Sequence, residues 1–346
     1  TTGTNNVVIG GLSADALTTG GRNVAVGYLS LSTETGSSRS VAVGAEALKN
    51  QNVGSGNAYN IAVGDSAGEE ITTGTTNTLI GGLAGDALTT GTANVALGYG
   101  ALSAEDDHGH NIAIGYHSLV AQNAGANAYN IAIGSSTGAS ISTGTQNVII
   151  GGLAGDALTT GARNVAIGYN ALTNEDGTGR NVAIGYHALA TQNAGSDAFN
   201  VAVGYFAGAA ITTGIYNVLL GGNAGTNIDT GNDNVIIGLN AGDALTSGSE
   251  NIAIGQSALS TEDTHGKNVA IGHAALTVQN AGVDAYNIAI GYHAGKEITT
   301  GIQNVLIGGL AGDSLTTGDS NVAIGQLALS TEDTGSKSIA IGKNAL

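Results

Sequence analysis

The chain has 346 residues, 58 of them glycine and none proline, cysteine, methionine or tryptophan; 26 acidic against 9 basic side chains give a formal charge of −17 at pH 7. That balance excludes a nucleic-acid binder, which needs basic patches, and it disfavours an anionic membrane surface. No run reaches the ~18 apolar residues a bilayer-spanning helix needs, no basic start followed by an apolar run marks a signal peptide, and disulfide or thiol chemistry is excluded.

From Asn6 onward one theme returns, an Asn or Ser followed by Val-Ala-Ile-Gly or a close variant. It opens at Asn6-Val7-Val8-Ile9-Gly10 and recurs at Asn23, Ser40, Asn60, Asn77, Asn94, Asn111, Asn130, Asn147, Asn164, Asn181, Asn200, Asn217, Asn234, Asn251, Asn268, Asn287, Asn304, Asn321 and Ser338. Successive anchors are 17 residues apart except for four steps of 19 or 20. A short β-rich run once per fixed period predicts an all-β parallel solenoid, in which each coil buries its apolar face only by stacking on its neighbours. The repeat overrides the length prior of two or three globular domains and predicts one continuous array over residues 1–346. Abundant glycine suits tight corners, and missing proline leaves every backbone N–H available to the ladders. The opening Thr1-Thr2-Gly3-Thr4-Asn5 matches the close of a coil such as Thr299-Thr300-Gly301-Ile302-Gln303, and the chain stops at Leu346 partway through a coil. Neither end carries an atypical capping coil, so the array reads as uncapped and as a segment of a longer protein.

Within a coil, numbered from its anchor as position one, positions two and four are Val, Ile, Leu or Thr. Strand alternation predicts that they point into the coil and that position three points outward. Position three is never polar: it is Ala in fourteen coils, among them Ala25, Ala96 and Ala166, and Val8, Leu79, Ile149, Leu219, Ile236 and Leu306 in the other six. A strand apolar on both faces is covered on both faces. These nine residues are therefore expected at an interface with another chain. One large core residue is supplied from either of two corners: Leu at nine with a polar twelve (Leu172 with Glu175, Leu189 with Gln192), or Gly at nine with Leu or Ile at twelve (Gly155 with Leu158, Gly138 with Ile141). These designs combine into a cycle of four coils and 70 residues, which slips once where Asn217 and Asn234 both open coils with Gly at nine. At ~4.7–4.9 Å per strand the array predicts a rod about 90 Å long with features recurring about every 19 Å.

The candidate sites begin with the acidic turns Glu34, Glu105-Asp106-Asp107, Glu175-Asp176, Glu262-Asp263 and Glu332-Asp333. Calcium wants six to eight oxygens, but Arg39, His110, Arg180, Lys267 and Lys337 follow within a few residues, which favours local ion pairs or solvated turns. The sequence assigns no metal and no cofactor; if an acidic turn holds an ion, the candidates are Glu105, Asp106, Asp107, Glu175 and Asp176. His108, His110, His117, His187, His265, His273 and His293 read as surface residues, with His117 and His187 at equivalent positions four coils apart. Tyr59, Tyr129, Phe199 and Tyr286 close the long loop of every third coil type, and a receptor loop for sugars would be sought there, since rings stack on sugar faces. Further tyrosines (Tyr28, Tyr99, Tyr116, Tyr169, Tyr186, Tyr205, Tyr292) follow the motif glycine. Thr-Thr-Gly turns such as Thr72-Thr73 and Thr89-Thr90 raise ice binding but come from only two coils in four. No catalytic constellation departs from the repeat, so the chain does not read as an enzyme. Gly-Gly-Leu-Ala-Gly precedes no helix and lacks the Lys-Ser/Thr of a phosphate loop.

The motif Asn164-Val-Ala-Ile-Gly-Tyr-Asn-Ala-Leu172 resembles the head repeat of YadA-type trimeric autotransporter adhesins, and similar repeats occur in tailed-phage fibres. The likeness covers essentially the whole chain, although the adhesin repeat is usually shorter. It implies three parallel chains, each a left-handed β-roll, joined by the sheet that bears the motif. It further implies an extracellular rod of a cell-surface or virion fibre that meets a glycan or matrix receptor, with no membrane insertion by this segment. The alternative is a monomeric solenoid that binds polysaccharide or ice.

Overall fold

The structure is a computed structural model that describes residues 2–177 and 179–346; Thr1 of the opening motif lies outside them. The chain is an all-β parallel solenoid with twenty three-residue strands, one in each coil, from β1 (Val7–Ile9) to β20 (Ile339–Ile341). Contacts group the chain into two units, Thr1–Asn170 with β1–β10 and Ala171–Leu346 with β11–β20. Each unit is built by the same rules.

Pairing is in register, like position on like position. In the first unit Leu79 of β5 (Thr78–Ile80) lies opposite Ala96 of β6 (Val95–Leu97). In the second, Leu219 of β13 (Val218–Leu220) lies opposite Ile236 of β14 (Val235–Ile237). Every coil position therefore becomes a column, and a residue's chemistry is multiplied along the stack.

The strand alternation is real but its phase is the reverse of the one expected. The middle residue faces the interior: Ala25, Ala96, Ala166, Leu79, Leu219, Ile236 and Leu306 are fully buried within their own chain, and Ile149 nearly so. Only Val8, in the first coil, is exposed, at 44%. The residues at positions two and four instead point outward and are half-buried or exposed. Of the expected interface, Leu79, Ile149, Leu219, Ile236, Leu306, Ala25, Ala96 and Ala166 are thus the coil's own core, and Val8 alone is not buried. Three apolar residues in a row leave the phase open in the sequence; the structure turns the middle one, alanine in fourteen coils, inward.

The core takes a large plug from one of the two corners that the sequence pattern marks, and five coils add a second large residue at position three, as Leu79 beside Leu88. Leu31, Leu48, Leu102 and Leu119 plug it from position nine, and Ile71, Leu88, Ile141 and Leu158 from position twelve, all fully buried. Glycine at nine is required where the plug comes from elsewhere. A Cβ on Gly68 would stand 2.7 Å from Leu79 Cδ1 and 3.0 Å from Ile71 Cδ1.

The motif glycine makes the corner after the strand. Gly98 has φ of 140°, open only to glycine, and a Cβ there would lie 2.4 Å from the Gly115 carbonyl oxygen of the next coil. The anchor explains itself only in three dimensions. The Asn77 side chain is fully buried; its Nδ2 donates to Gly91 O at 2.9 Å and its Oδ1 accepts from the Asn94 N–H at 2.9 Å. Asn200, Asn217 and Asn234 do the same in the second unit. A buried corner with one orphan carbonyl and one orphan amide needs a short side chain carrying both a donor and an acceptor, which is what asparagine provides.

Candidate functional site

Three features sit on this scaffold outside the core. The first is the outer face of the strands. Two apolar side chains per strand line it, and they remain accessible: Ile80 is 37% and Leu97 41% exposed, with Ile307 and Ile324 similar in the second unit. Like positions stack along the pairing, so the face is a largely Val/Ile stripe within each unit, with Thr78 and Leu97 among the exceptions.

The second is the acidic corner at position twelve. Glu34, Glu105, Glu175 and Glu262 are fully buried, and only Glu332 is half-buried. These are not solvated turns. Glu34 is well supplied: Oε1 accepts from the Gly36 and Ser37 N–H groups at 2.9 and 2.7 Å, and Oε2 from Gln51 Nε2 of the next coil at 3.1 Å. Burial pushes its carboxyl up, but the bonds from Ser37, Gly36 and Gln51 outweigh that and hold it below the ordinary glutamate range. Glu105 and Glu262 occupy the same corner with fewer donors. Each Oε1 accepts one backbone bond, from the His108 and His265 N–H groups respectively, both at 3.2 Å, and each Oε2 is buried without a hydrogen bond of normal geometry. Burial accordingly raises both carboxyls. Asp107, exposed beside this corner, accepts from the Thr89 and Thr90 hydroxyls, which hold its carboxyl low. Asp176 closes the turn after the buried Glu175.

Two of these basic residues reach across to the following coil. Arg180 pairs with Asp197 and Lys267 with Asp284 at 2.8 Å, in each case the next coil's long loop. Arg39 donates to the Tyr59 hydroxyl. A cation on one coil braces the loop of the following one.

The third feature is aromatic. Tyr59, Tyr129, Phe199 and Tyr286 are exposed, and each lies against the preceding coil's basic residue: Arg39 at 5.4 Å, the His110 ring at 5.0 Å, Arg180 at 5.3 Å and Lys267 at 5.3 Å. These contacts are of cation–π and stacking distance. The tyrosines after the motif glycine are also exposed and form ridges with their neighbours. Tyr99 stacks on Tyr116 at 5.9 Å and Tyr116 on His117 at 4.1 Å; His273 stacks on Tyr292 at 5.5 Å and Tyr292 on His293 at 3.9 Å. His117 and His187 thus belong to ring ridges. A shallow polar groove lined by Thr4, Thr19, Arg22, Ser38 and Arg39 completes the surface of the first coils.

Sequence reasoning missed the outward stripe because it inverted the strand phase, and it missed the relation of His108 and His265 to Glu105 and Glu262. A signal for the second existed: in the coils that carry Glu at twelve, histidine appears three residues later in two of them only. The threonine hydroxyls of the Thr-Thr-Gly turns are engaged along the stack, as in Thr72 Oγ1 to Thr89 O at 3.3 Å. Among the described residues no helix is long and apolar enough to cross a membrane. Neither a protein-family model nor a curated protein matches this chain.

Proposed function

We propose that the chain is the structural and adhesive rod of a surface-exposed homotrimeric fibre, of the bacterial-adhesin or phage-tail kind, that displays attachment surfaces at regular intervals. The observation that carries this reading is the outward Val/Ile stripe. A continuous apolar face of this kind marks an interaction surface or an aggregation hazard. Burying half of one such side chain is worth about 1 kcal/mol, and two from each of twenty strands far outweigh the roughly 4–15 kcal/mol cost of association. The partner that fits best is a second copy of the same chain, because only a stack with the same rise per coil keeps its own Val/Ile column in step with this one. The exposed ring ridges and the cation-braced loops at Tyr59, Tyr129, Phe199 and Tyr286 then face outward from the fibre as surfaces for a glycan or matrix receptor.

Sedimentation of the intact chain tests this: a trimer is expected, and lysine at two outward positions, Ile112→Lys and Ile252→Lys, is expected to yield monomers with an unchanged β-type circular dichroism spectrum. A wild-type chain that stays monomeric at micromolar concentration refutes the proposal. The ring ridges favour the second reading, a monomeric polysaccharide binder, if that monomer retains glycan from a screening array.

A further inference from the structure

We infer that the groove beside Arg22 and Arg39 is a binding site for an acidic sugar residue, one that carries a single carboxylate or sulfate, with Tyr59 as the stacking ring at its end. The inference deepens the receptor surface proposed above and rests on that part of the reading, not on the trimer.

The few cations of this chain are not scattered. Six of the nine basic residues, Arg22, Arg39, Arg163, Arg180, Lys267 and Lys337, stand immediately before an anchor. The rings of Tyr59, Tyr129, Phe199 and Tyr286 occupy the same coil position one coil after Arg39, His110, Arg180 and Lys267. These four corners are equivalent in the repeat, and the first departs from the others in three places. Arg180 and Lys267 each pair with an aspartate three residues before the next anchor, Asp197 and Asp284, whereas Arg39 has Asn57 there. One coil earlier, where the His110 corner has Ala93 and the Lys267 corner has Glu250, this corner has a second cation, Arg22. Where the others have Gly109, Gly179 and Gly266, it has the hydroxyl of Ser38.

The three departures meet in one groove of about 260 Å³, lined by Arg22, Arg39, Thr4, Thr19, Ser38 and Asn57 and by no carboxylate. Among the described residues neither arginine forms an ion pair, although the chain carries a formal charge of −17; its ion pairs all lie elsewhere. Successive coils are ~4.7–4.9 Å apart, so the two like charges repel. An oxyanion between them removes that repulsion and accepts from both guanidinium forks.

The remaining groups suit a sugar. Ser38 Oγ accepts from the Gly21 N–H at 3.0 Å, which leaves its own O–H to donate. Asn127 and Asp284 use Oδ1 to accept the Gly109 and Gly266 N–H groups at 3.0 and 3.1 Å, but the Ser38 N–H donates to Gly56 O at 3.0 Å, so the Asn57 amide is left to the groove. Arg39 is held in place: it donates to the Tyr59 hydroxyl, and its guanidinium lies 5.4 Å from the centre of that ring, which is itself 46% exposed. Donors beside an exposed ring match a ligand with an oxyanion, several hydroxyls and one apolar face. Net charge limits its size. The acidic remainder of the chain repels a densely charged polyanion, whereas one anionic sugar meets the groove alone.

The test is saturation-transfer NMR on the intact chain with glucuronic acid, glucose 6-sulfate and glucose as probes. One or both acidic sugars are expected to bind and glucose is not; the acidic arm that binds distinguishes carboxylate from sulfate. Arg22→Gln with Arg39→Gln is expected to weaken that binding about tenfold or more. Asn57→Asp, which places here the aspartate of the Arg180 and Lys267 corners, is expected to weaken it similarly with an unchanged circular dichroism spectrum. Tyr59→Ala should weaken it several-fold, and Lys296→Gln, in the ion pair with Glu297, should leave it as in the parent. Failure of both acidic sugars to bind overturns the inference, as does equal binding of glucose or full binding by the Asn57→Asp chain. Sedimentation separates the two readings: a trimer that binds neither acidic sugar refutes this site and leaves the fibre, and a monomer that binds one refutes the fibre and supports this site.

Discussion

The inward phase of position three has a consequence that a double-mutant cycle measures. Leu79 is wedged between two glycines: its Cδ1 lies 2.7 Å from the place of a Gly68 Cβ, and its Cδ2 lies 2.9 Å from that of Gly85. Leu79→Ala leaves a void in a fully enclosed site and should cost about 2–5 kcal/mol. Gly68→Ala should cost about 1–2 kcal/mol for its left-handed backbone plus about 1–3 kcal/mol for overpacking against Leu79, Ile71 and Leu48. In the double variant the new methyl enters the space that Leu79 vacates, so the overpacking is relieved and part of the void is filled. The double variant should therefore be more stable than the sum of the single effects by about 1–3 kcal/mol, the range expected for residues in contact. Guanidinium unfolding followed by far-ultraviolet circular dichroism measures all four corners of the cycle. A coupling within about 0.5 kcal/mol of zero, the range of independent sites, would show that Leu79 does not share the interior with Gly68, and the inward phase would fall.

The two kinds of acidic corner respond oppositely to pH. Glu34 has a lowered carboxyl, so its contribution is present at neutral pH and is lost as pH falls through its folded value; Glu34→Gln should lower stability at pH 7 by about 1–3 kcal/mol. Glu105 and Glu262 have raised carboxyls, so the chain loses stability as pH rises from the ordinary glutamate range through their folded values. Glu105→Gln should then raise the melting temperature at pH 7 and leave it nearly unchanged at pH 4; a fall at pH 7 contradicts the burial argument. Asn77→Ala removes the acceptor for the Asn94 N–H and the donor for the Gly91 carbonyl, at about 1–3 kcal/mol each. Hydrogen exchange at the Asn94 amide should accelerate selectively, and unchanged protection there refutes the ladder.

Much of this molecule is legible from residue order, because a solenoid is a local object. The period set by Asn6, Asn23 and their successors places one strand in each coil at the positions where β1–β20 occur. The exchange of Leu at nine for Leu or Ile at twelve identifies the corner plug, since the two positions face the same part of the interior and only one of them is filled by a large side chain. The candidate sites were less legible. The aromatic and basic residues stand out in the sequence, but that Arg39 meets Tyr59 and Lys267 meets Tyr286 depends on which residues successive coils bring side by side.

Three things were decided only in three dimensions. The direction of each strand's middle residue is open in the sequence, because Val-Ala-Ile reads as apolar from either side. The work of the anchor asparagine depends on which carbonyl and which amide the corner leaves unpaired. Whether a position-twelve glutamate is satisfied depends on the next coil, whose glutamine reaches Glu34 but not Glu105 or Glu262. Periodicity along a chain determines which residues become equivalent. Burial, and the balance of donors against acceptors inside it, is a property of the stack.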